Sequence, residues 1–264
     1  MGISYADLID AIEVIAPQFL MEEWDNSGIQ IKTSNKDIEK IMVALEIGDD
    51  VIQEAIFNKV DLIITHHPLI FHEISQINTD DMVGRYINNL VRNGISVFST
   101  HTTFDKAIGG NNDYLINLIN MKMSRMVGIG NFGEFGIGRL VKLKTPISLD
   151  SMISAVKEAL EIPESEIKNV GDVGKLIQKI GICTGSGASL INDALKNGCD
   201  LLITGDIKYH DAQYAKEMGI CLIDAEHYYT ERIFSVNFKK KLNKLTGDKV
   251  IIIESEININ PFGN

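Results

Sequence analysis

The chain of 264 residues contains only three cysteines, Cys183, Cys199 and Cys221. They are odd in number and none forms a Cys-x-x-Cys pair, so a disulfide framework and a Cys-rich zinc site are both excluded. Small buried thiols in a reducing, cytoplasmic setting are the expectation. No run reaches 18 consecutive apolar residues, which argues against a membrane-spanning helix. The opening Met1-Gly2-Ile3-Ser4-Tyr5-Ala6-Asp7 lacks the basic and apolar regions of a secretory signal, and Ala6 stands where myristoylation needs Ser or Thr. Positive charge is short as well. Lys and Arg total 25 against 36 Asp and Glu, a net charge of −11. An overall basic footprint for a phosphate backbone is therefore missing, which argues against nucleic acid as a partner.

What remains is globular in character, with 45% hydrophobic and 23% charged residues. Short apolar runs alternate with helical patterns. Strands are predicted at Ile41–Leu45, Asp61–Thr65, Ile95–Ser99, Leu140–Leu143, Ile177–Cys183, Leu201–Thr204, Ile220–Ile223 and Val250–Ile253. Helices are predicted at Tyr5–Ile15, Asp49–Asn58, Asp80–Asn93, Asn112–Ile119, Leu149–Leu160, Ala188–Lys196, Tyr209–Met218 and Glu231–Leu245. Most of the strands show no polar alternation, as strands covered on both faces do, so an α/β fold with much parallel sheet follows.

The chain also repeats itself. Val51–Thr65 aligns without gaps to Leu190–Thr204, with 7 of 15 positions identical. Further on, Gly94-Ile95 leads through a strand to His101, with Asp105 four residues later. Gly219-Ile220 leads through a strand to His227, with Glu231 four residues later. Two related lobes are inferred, about 1–126 and about 127–264, each carrying a His-x-x-x-carboxylate just past a strand. The glycine-rich Gly128–Gly138 is read as the flexible boundary. Its G-x-G-x-x-G spacing precedes a strand rather than opening a helix, so it is not a dinucleotide fingerprint.

Six histidines are present, and five follow a predicted strand closely. Ligands bind outside the carboxyl ends of strands in open α/β sheets. Neighbouring side chains on an extended backbone point apart, so His66 and His67 can act together only where the strand has ended. With His101, Asp105, His227 and Glu231 they describe a dinuclear site for Zn, Fe, Mn or Co. His101 is open to three readings: ligand, general acid/base, or partner that orients a ligand. His210 is placed at the rim of the site, and His72 is read as a surface residue. Gly185-Ser186-Gly187 is read as a tight β–α turn, with anion binding as the alternative. Trp24-Asp25-Asn26-Ser27-Gly28 is a specific turn that lines the pocket or braces it.

Taken in order, Trp24–Gly28, Thr65-His66-His67-Pro68, His101–Asp105 with Gly109-Gly110-Asn111, Cys183–Gly187, Thr204–His210 and His227–Glu231 resemble the NIF3-like family, whose members are often called GTP cyclohydrolase 1 type 2 homologues. The resemblance covers about residues 5 to 255. It implies a single unit over 1–264 made of two related α/β lobes, a dinuclear metal site between them, and a ring-like homohexamer. It also implies two divalent metals per chain, with His66 and Asp105 on one, His67 and His227 on the other, and Glu231 bridging. His101 is then a site-facing catalytic residue. The chain departs from the family pattern at Glu46, where Asp is expected, and at Glu226, where Gly is expected. The implied activity is metal-dependent hydrolysis of a nucleotide or phosphoester. The alternative is a non-enzymatic metal-binding or scaffold protein.

Overall fold

The computed structural model describes residues 2–123, 126–133 and 136–262. The chain divides into two compact units, Met1–Gly110 with Phe234–Asn264, and Asn111–Ile233. The second is inserted into the first, so the chain crosses at Gly110/Asn111 and returns at Phe234. The sequence reading placed one crossing near residue 126 and assigned the tail to the second lobe.

Unit one begins with α1 (Tyr5–Ile15), whose first turn is capped by Ser4: its hydroxyl accepts the Asp7 N–H at 3.1 Å. Then come β1 (Gly28–Ile31), β2 (Lys40–Ala44), α2 (Asp49–Phe57), β3 (Leu62–Thr65), α3 (Met82–Arg92), β4 (Ser96–Ser99) and the one-turn α4 (Thr102–Lys106). In unit two follow α5 (Asn111–Met123), β5 (Met126–Phe132), β6 (Gly138–Ser148), α6 (Leu149–Leu160), β7 (Lys168–Val170), β8 (Leu176–Ser186), α7 (Ile191–Lys196), β9 (Leu201–Gly205), α8 (Tyr209–Met218), β10 (Cys221–Asp224) and the one-turn α9 (His227–Glu231). The chain then re-enters unit one with α10 (Phe234–Thr246) and β11 (Ile251–Glu254).

Unit one's sheet has the order β1-β4-β3-β2-β11, parallel except for β1. Every residue of β3 and β4 is buried, which accounts for their lack of polar alternation. Met42, Val51, Ile52, Ile63, Leu90 and Val97 form the centre of its core. Unit two's sheet has the order β5-β6-β8-β9-β10-β7, with β8, β9 and β10 parallel. Val141, Met152, Val156, Ile180, Leu201 and Ile223 pack on one side of it. Cys183, Cys199 and Cys221 are buried thiols, as their composition suggested.

The glycine-rich linker is corrected by this topology. β5 pairs antiparallel with β6 through Gly130/Leu140 and Phe132/Gly138. A Cβ at Gly138 would collide with the Phe132 ring, so that glycine serves close packing rather than mobility. Glu134 and Phe135 lie outside the described residues.

The repeat is architectural. β2-α2-β3-α3-β4-α4 and β8-α7-β9-α8-β10-α9 follow one another in the same order around a parallel triplet. The shared Asp takes the same role in each copy. Asp61 Oδ2 accepts the N–H groups of Glu39 and Lys40 at 2.8 and 2.9 Å; Asp200 Oδ2 accepts those of Gln178 and Lys179, both at 2.9 Å. Each carboxylate fastens the start of the neighbouring strand, whose N–H groups would otherwise lack partners.

Candidate metal centre

In unit one the functional side chains gather at the carboxyl ends of β3 and β4. The backbone curls as soon as β3 ends, and the successive N–H groups of His66 and His67 both donate to the Leu45 carbonyl, at 3.0 and 2.9 Å. This departure from extended geometry brings the two imidazoles to the same side, with ring centroids 5.3 Å apart. After β4 the chain turns directly into α4. His101 caps that helix and Asp105 lies one turn along it, so the four-residue spacing becomes a shared helix face. Asp105 Oδ1 lies 3.6 Å from His66 Nε2.

His66, His67 and His101 each offer a ring nitrogen within 4.8 Å of the others. His66 is fully buried, while His101 keeps 17% of its side chain in water. Their tautomers follow from their partners. His66 Nδ1 is 3.1 Å from the Thr100 carbonyl, which can only accept, so the ring donates from Nδ1 and leaves Nε2 to face Asp105. His67 Nδ1 donates to Glu46 Oε2 at 3.1 Å, and His101 Nδ1 donates to Asp25 Oδ1 at 2.9 Å. Three imidazoles, each with Nδ1 on an oxygen acceptor, beside a buried carboxylate, form a donor set that fits a divalent transition metal.

Asp25 is heavily engaged. It accepts from His101, from the Ser27 hydroxyl at 2.7 Å, and from the Thr102 N–H at 3.1 Å and hydroxyl at 2.5 Å. Burial alone would raise its pKa; the hydrogen bonds and charge from His101, with those from Thr102 and Ser27, outweigh it and hold the carboxyl well below the usual range. Of the two readings of the Trp24–Gly28 turn, Asp25 therefore meets the bracing one, and Trp24 meets the lining one, its ring 5.8 Å from His101.

In unit two α9 follows β10 as α4 follows β4. His227 Nε2 lies 2.8 Å from Glu231 Oε2 one turn later, and Nδ1 donates to Asp206 Oδ2 at 2.7 Å. Glu231 is 3% exposed. Its place depends on Gly185, at φ +66°, where any Cβ would meet Glu231 Oε1. Gly185 N–H also donates to Thr230 Oγ1 at 2.9 Å, fastening β8 to α9. The Gly185-Ser186-Gly187 stretch is thus a close backbone approach that admits a buried glutamate, rather than an anion cradle.

The two departures from the family pattern have places. Glu46 holds His67. Glu226 has φ +58° and ψ 148°, a backbone region that favours glycine, and its carboxylate takes Lys168 Nζ at 2.9 Å. His210 is exposed on α8 with its ring against Tyr209, and His72 is exposed beside Phe71. The carboxylates behind the imidazoles, Glu46 and Asp206, were not found by sequence reasoning as partners of histidines. The signal for Asp206 was available: continuing the repeat two residues past Thr65 and Thr204 sets it opposite His67.

A parallel α/β sheet whose strand ends deliver imidazoles and carboxylates, each imidazole backed by an oxygen acceptor, defines a class of metal-binding α/β proteins. Within that class the chain belongs to the Duf34/NIF3 (NGG1p interacting factor 3) family, whose model matches residues 3–261. A Clostridium perfringens protein named GTP cyclohydrolase 1 type 2 homolog is 36% identical over 257 residues, 97% of each chain. A Helicobacter pylori protein named GTP cyclohydrolase 1 type 2 is 34% identical over 231 residues, 87% of this chain and 88% of that one. The solved structure of the Staphylococcus aureus hypothetical protein SA1388 superposes with a TM-score of 0.89 at 25% identity, over the full length of both chains. Among the described residues no helix is long and apolar enough to cross a membrane.

Proposed function

We propose that the protein is a divalent-metal-dependent hydrolase with two metals per chain. The observation that carries this reading is that His66, His67, His101 and His227 each have Nδ1 held by an oxygen acceptor, beside the buried carboxylates Asp105 and Glu231. In the proposed assignment His66 and Asp105 hold one metal, His67 and His227 hold the other, and Glu231 bridges. Zn, Fe and Mn suit these ligands. Bound metals would supply Lewis-acid polarisation and a nucleophile at neutral pH.

The chain's own residues supply the rest. Asp25 fixes the His101 ring with its proton on Nδ1, so Nε2 can take a proton from, or return one to, a reacting group. His66 is sealed and suits ligation; His67 and His101 are both partly exposed, and of these two His101, held by the buried Asp25, is assigned proton transfer and His67 a metal. The names of the relatives, GTP cyclohydrolase 1 type 2 and its homologues, point to a nucleotide as substrate, and this supports the hydrolase reading over a storage or scaffold role.

Elemental analysis of protein purified without chelator is expected to give about two metals per chain; a value near zero that added Zn, Fe or Mn cannot raise would sink the proposal. His101→Ala is expected to keep its metal and lose roughly 10²–10⁴-fold in turnover on the nucleotide or phosphoester selected by a screen. Loss of metal in that variant would make His101 a ligand instead. Metal-replete protein with no turnover on the screen would favour the metal-binding or scaffold alternative.

A further inference from the structure

Two large aromatic rings stand in water beside the histidine group of unit one. Trp24 is 57% and Phe71 41% exposed. Their centroids are 6.1 Å apart with planes inclined at 48°, and they lie 5.8 and 6.2 Å from the His101 ring. They are held there by hydrogen bonds. The Asn26 side-chain amide donates to the Ile70 carbonyl at 2.5 Å, and the Ile70 N–H donates to Gln30 Oε1 at 3.0 Å, which fixes the backbone just before Phe71. Three consecutive residues thus have three linked roles: Trp24 supplies one ring, Asp25 orients His101, and Asn26 ties down the segment that carries the other ring.

We propose that Trp24 and Phe71, which touch each other, form an open clamp whose exposed faces, rather than a gap between them, stack a planar nitrogen heterocycle beside His101. This rests on reading the His101 group as the chemical centre, and it assigns the clamp the substrate's ring rather than its phosphate. Inclined aromatic faces attract a flat π-system through offset or edge contacts, an attraction that a phosphate does not share. Asp25, which holds the His101 ring that both aromatics approach, is acidic and disfavours an anion at that spot. An exposed apolar pair held rigidly by polar contacts is also preorganised, so little order has to be imposed when a ligand enters.

Trp24 is the only tryptophan in the chain, so its emission reports the clamp alone. Full-length protein, metal-loaded and metal-stripped, is titrated with adenosine, guanosine and, as the ring-free control, ribose 5-phosphate. Saturable quenching by a nucleoside and none by ribose 5-phosphate is expected. Phe71→Ala is expected to weaken nucleoside binding about tenfold or more at unchanged metal content. Trp24→Leu, followed by saturation-transfer NMR on the nucleoside ring protons, is expected to lose the signal. No saturable response to either nucleoside in metal-replete protein would overturn the clamp, as would wild-type affinity in Phe71→Ala. Emission that follows protein concentration instead of nucleoside would also overturn it, by assigning the rings to a contact between copies of the chain. If the wild type takes up no metal, the proposal for the centre fails by itself, and nucleoside quenching still decides the clamp.

Discussion

In unit one β3 ends at Thr65 and the chain runs on into His66 and His67. In unit two β9 reaches Thr204 and the chain runs on into Gly205 and Asp206. The strand ends correspond, yet one carries two imidazoles and the other carries none. The reason lies in what packs above. A Cβ at Gly205 would lie 2.6 Å from His227 N and 2.7 Å from the Glu226 carbonyl carbon, so the backbone of α9 occupies the space that the His66 side chain takes in unit one. Asp206, at the position of His67, turns to the Nδ1 of His227. The same parallel strand–helix triplet stands in both units, and in one its strand ends are rich in imidazoles while in the other they seat a buried glutamate.

The most severe way to break this comparison is Gly205→Ala. The colliding atoms are backbone and cannot swing aside, so a loss of about 3 kcal/mol or more is expected, read as a fall in the denaturant midpoint of unit two. A midpoint within error of wild type would mean that α9 does not rest on Gly205. Next come the carboxylates at the matched helix positions. Glu231→Gln should lower the occupancy of both metals, and Asp105→Asn mainly that of one; equal single-metal losses would count against a bridging role for Glu231. In either background retention should fall with acidification. The imidazoles ligate only when neutral, and a free His has a pKa of about 6.5, so metal is held above that region and released below it.

Much of the plan was readable because it rests on local patterns. The apolar runs Leu62–Ile64 of β3 and Leu201–Ile203 of β9 announced buried parallel strands, and the paired His-x-x-x-carboxylate spacings became α4 and α9. What escaped depends on distant contacts. No periodicity indicates that Glu46 reaches His67, or that Gly185 makes room for Glu231, because the pairs are separated by many residues and the effect is one of shape. The inserted arrangement escaped for a related reason. Composition does not change at Phe234, and it is the pairing of β11 with β2 and the packing of Phe234 and Phe238 on Phe104 that assign the tail to unit one.

Smaller changes sharpen the contrast. Glu226 sits in a glycine-favouring conformation at the entrance to α9, against a partly exposed ion pair with Lys168. Glu226→Gly is expected to relieve strain of order 1–3 kcal/mol, less the small value of that pair, and to raise the melting temperature by about 2–4 °C. A lower melting temperature would show that the ion pair outweighs the strain. The mildest test uses the cysteines, all three of which lie in unit two. Burial pushes the Cys199 thiol up to about 11, despite the opposing Lys179 charge. At pH 8 only about one molecule in a thousand would carry its thiolate, so alkylation of native protein should be very slow at this residue. Fast labelling would reveal opening of unit two.

The insertion has a consequence for how the protein is made. β2, the apolar strand Lys40–Ala44, pairs with β3 on one side and with β11 on the other. The ribosome delivers β11 roughly 150 residues after β4, an interval of roughly 8–30 s at ordinary translation rates. All of unit two emerges in that window and can close on itself while β2 still presents an open edge. Such an edge is a template for pairing with another nascent chain. Products that stop short of Ile251 should therefore aggregate through β2, which makes the last strand of the sheet the step that protects the first unit from its neighbours on the polysome.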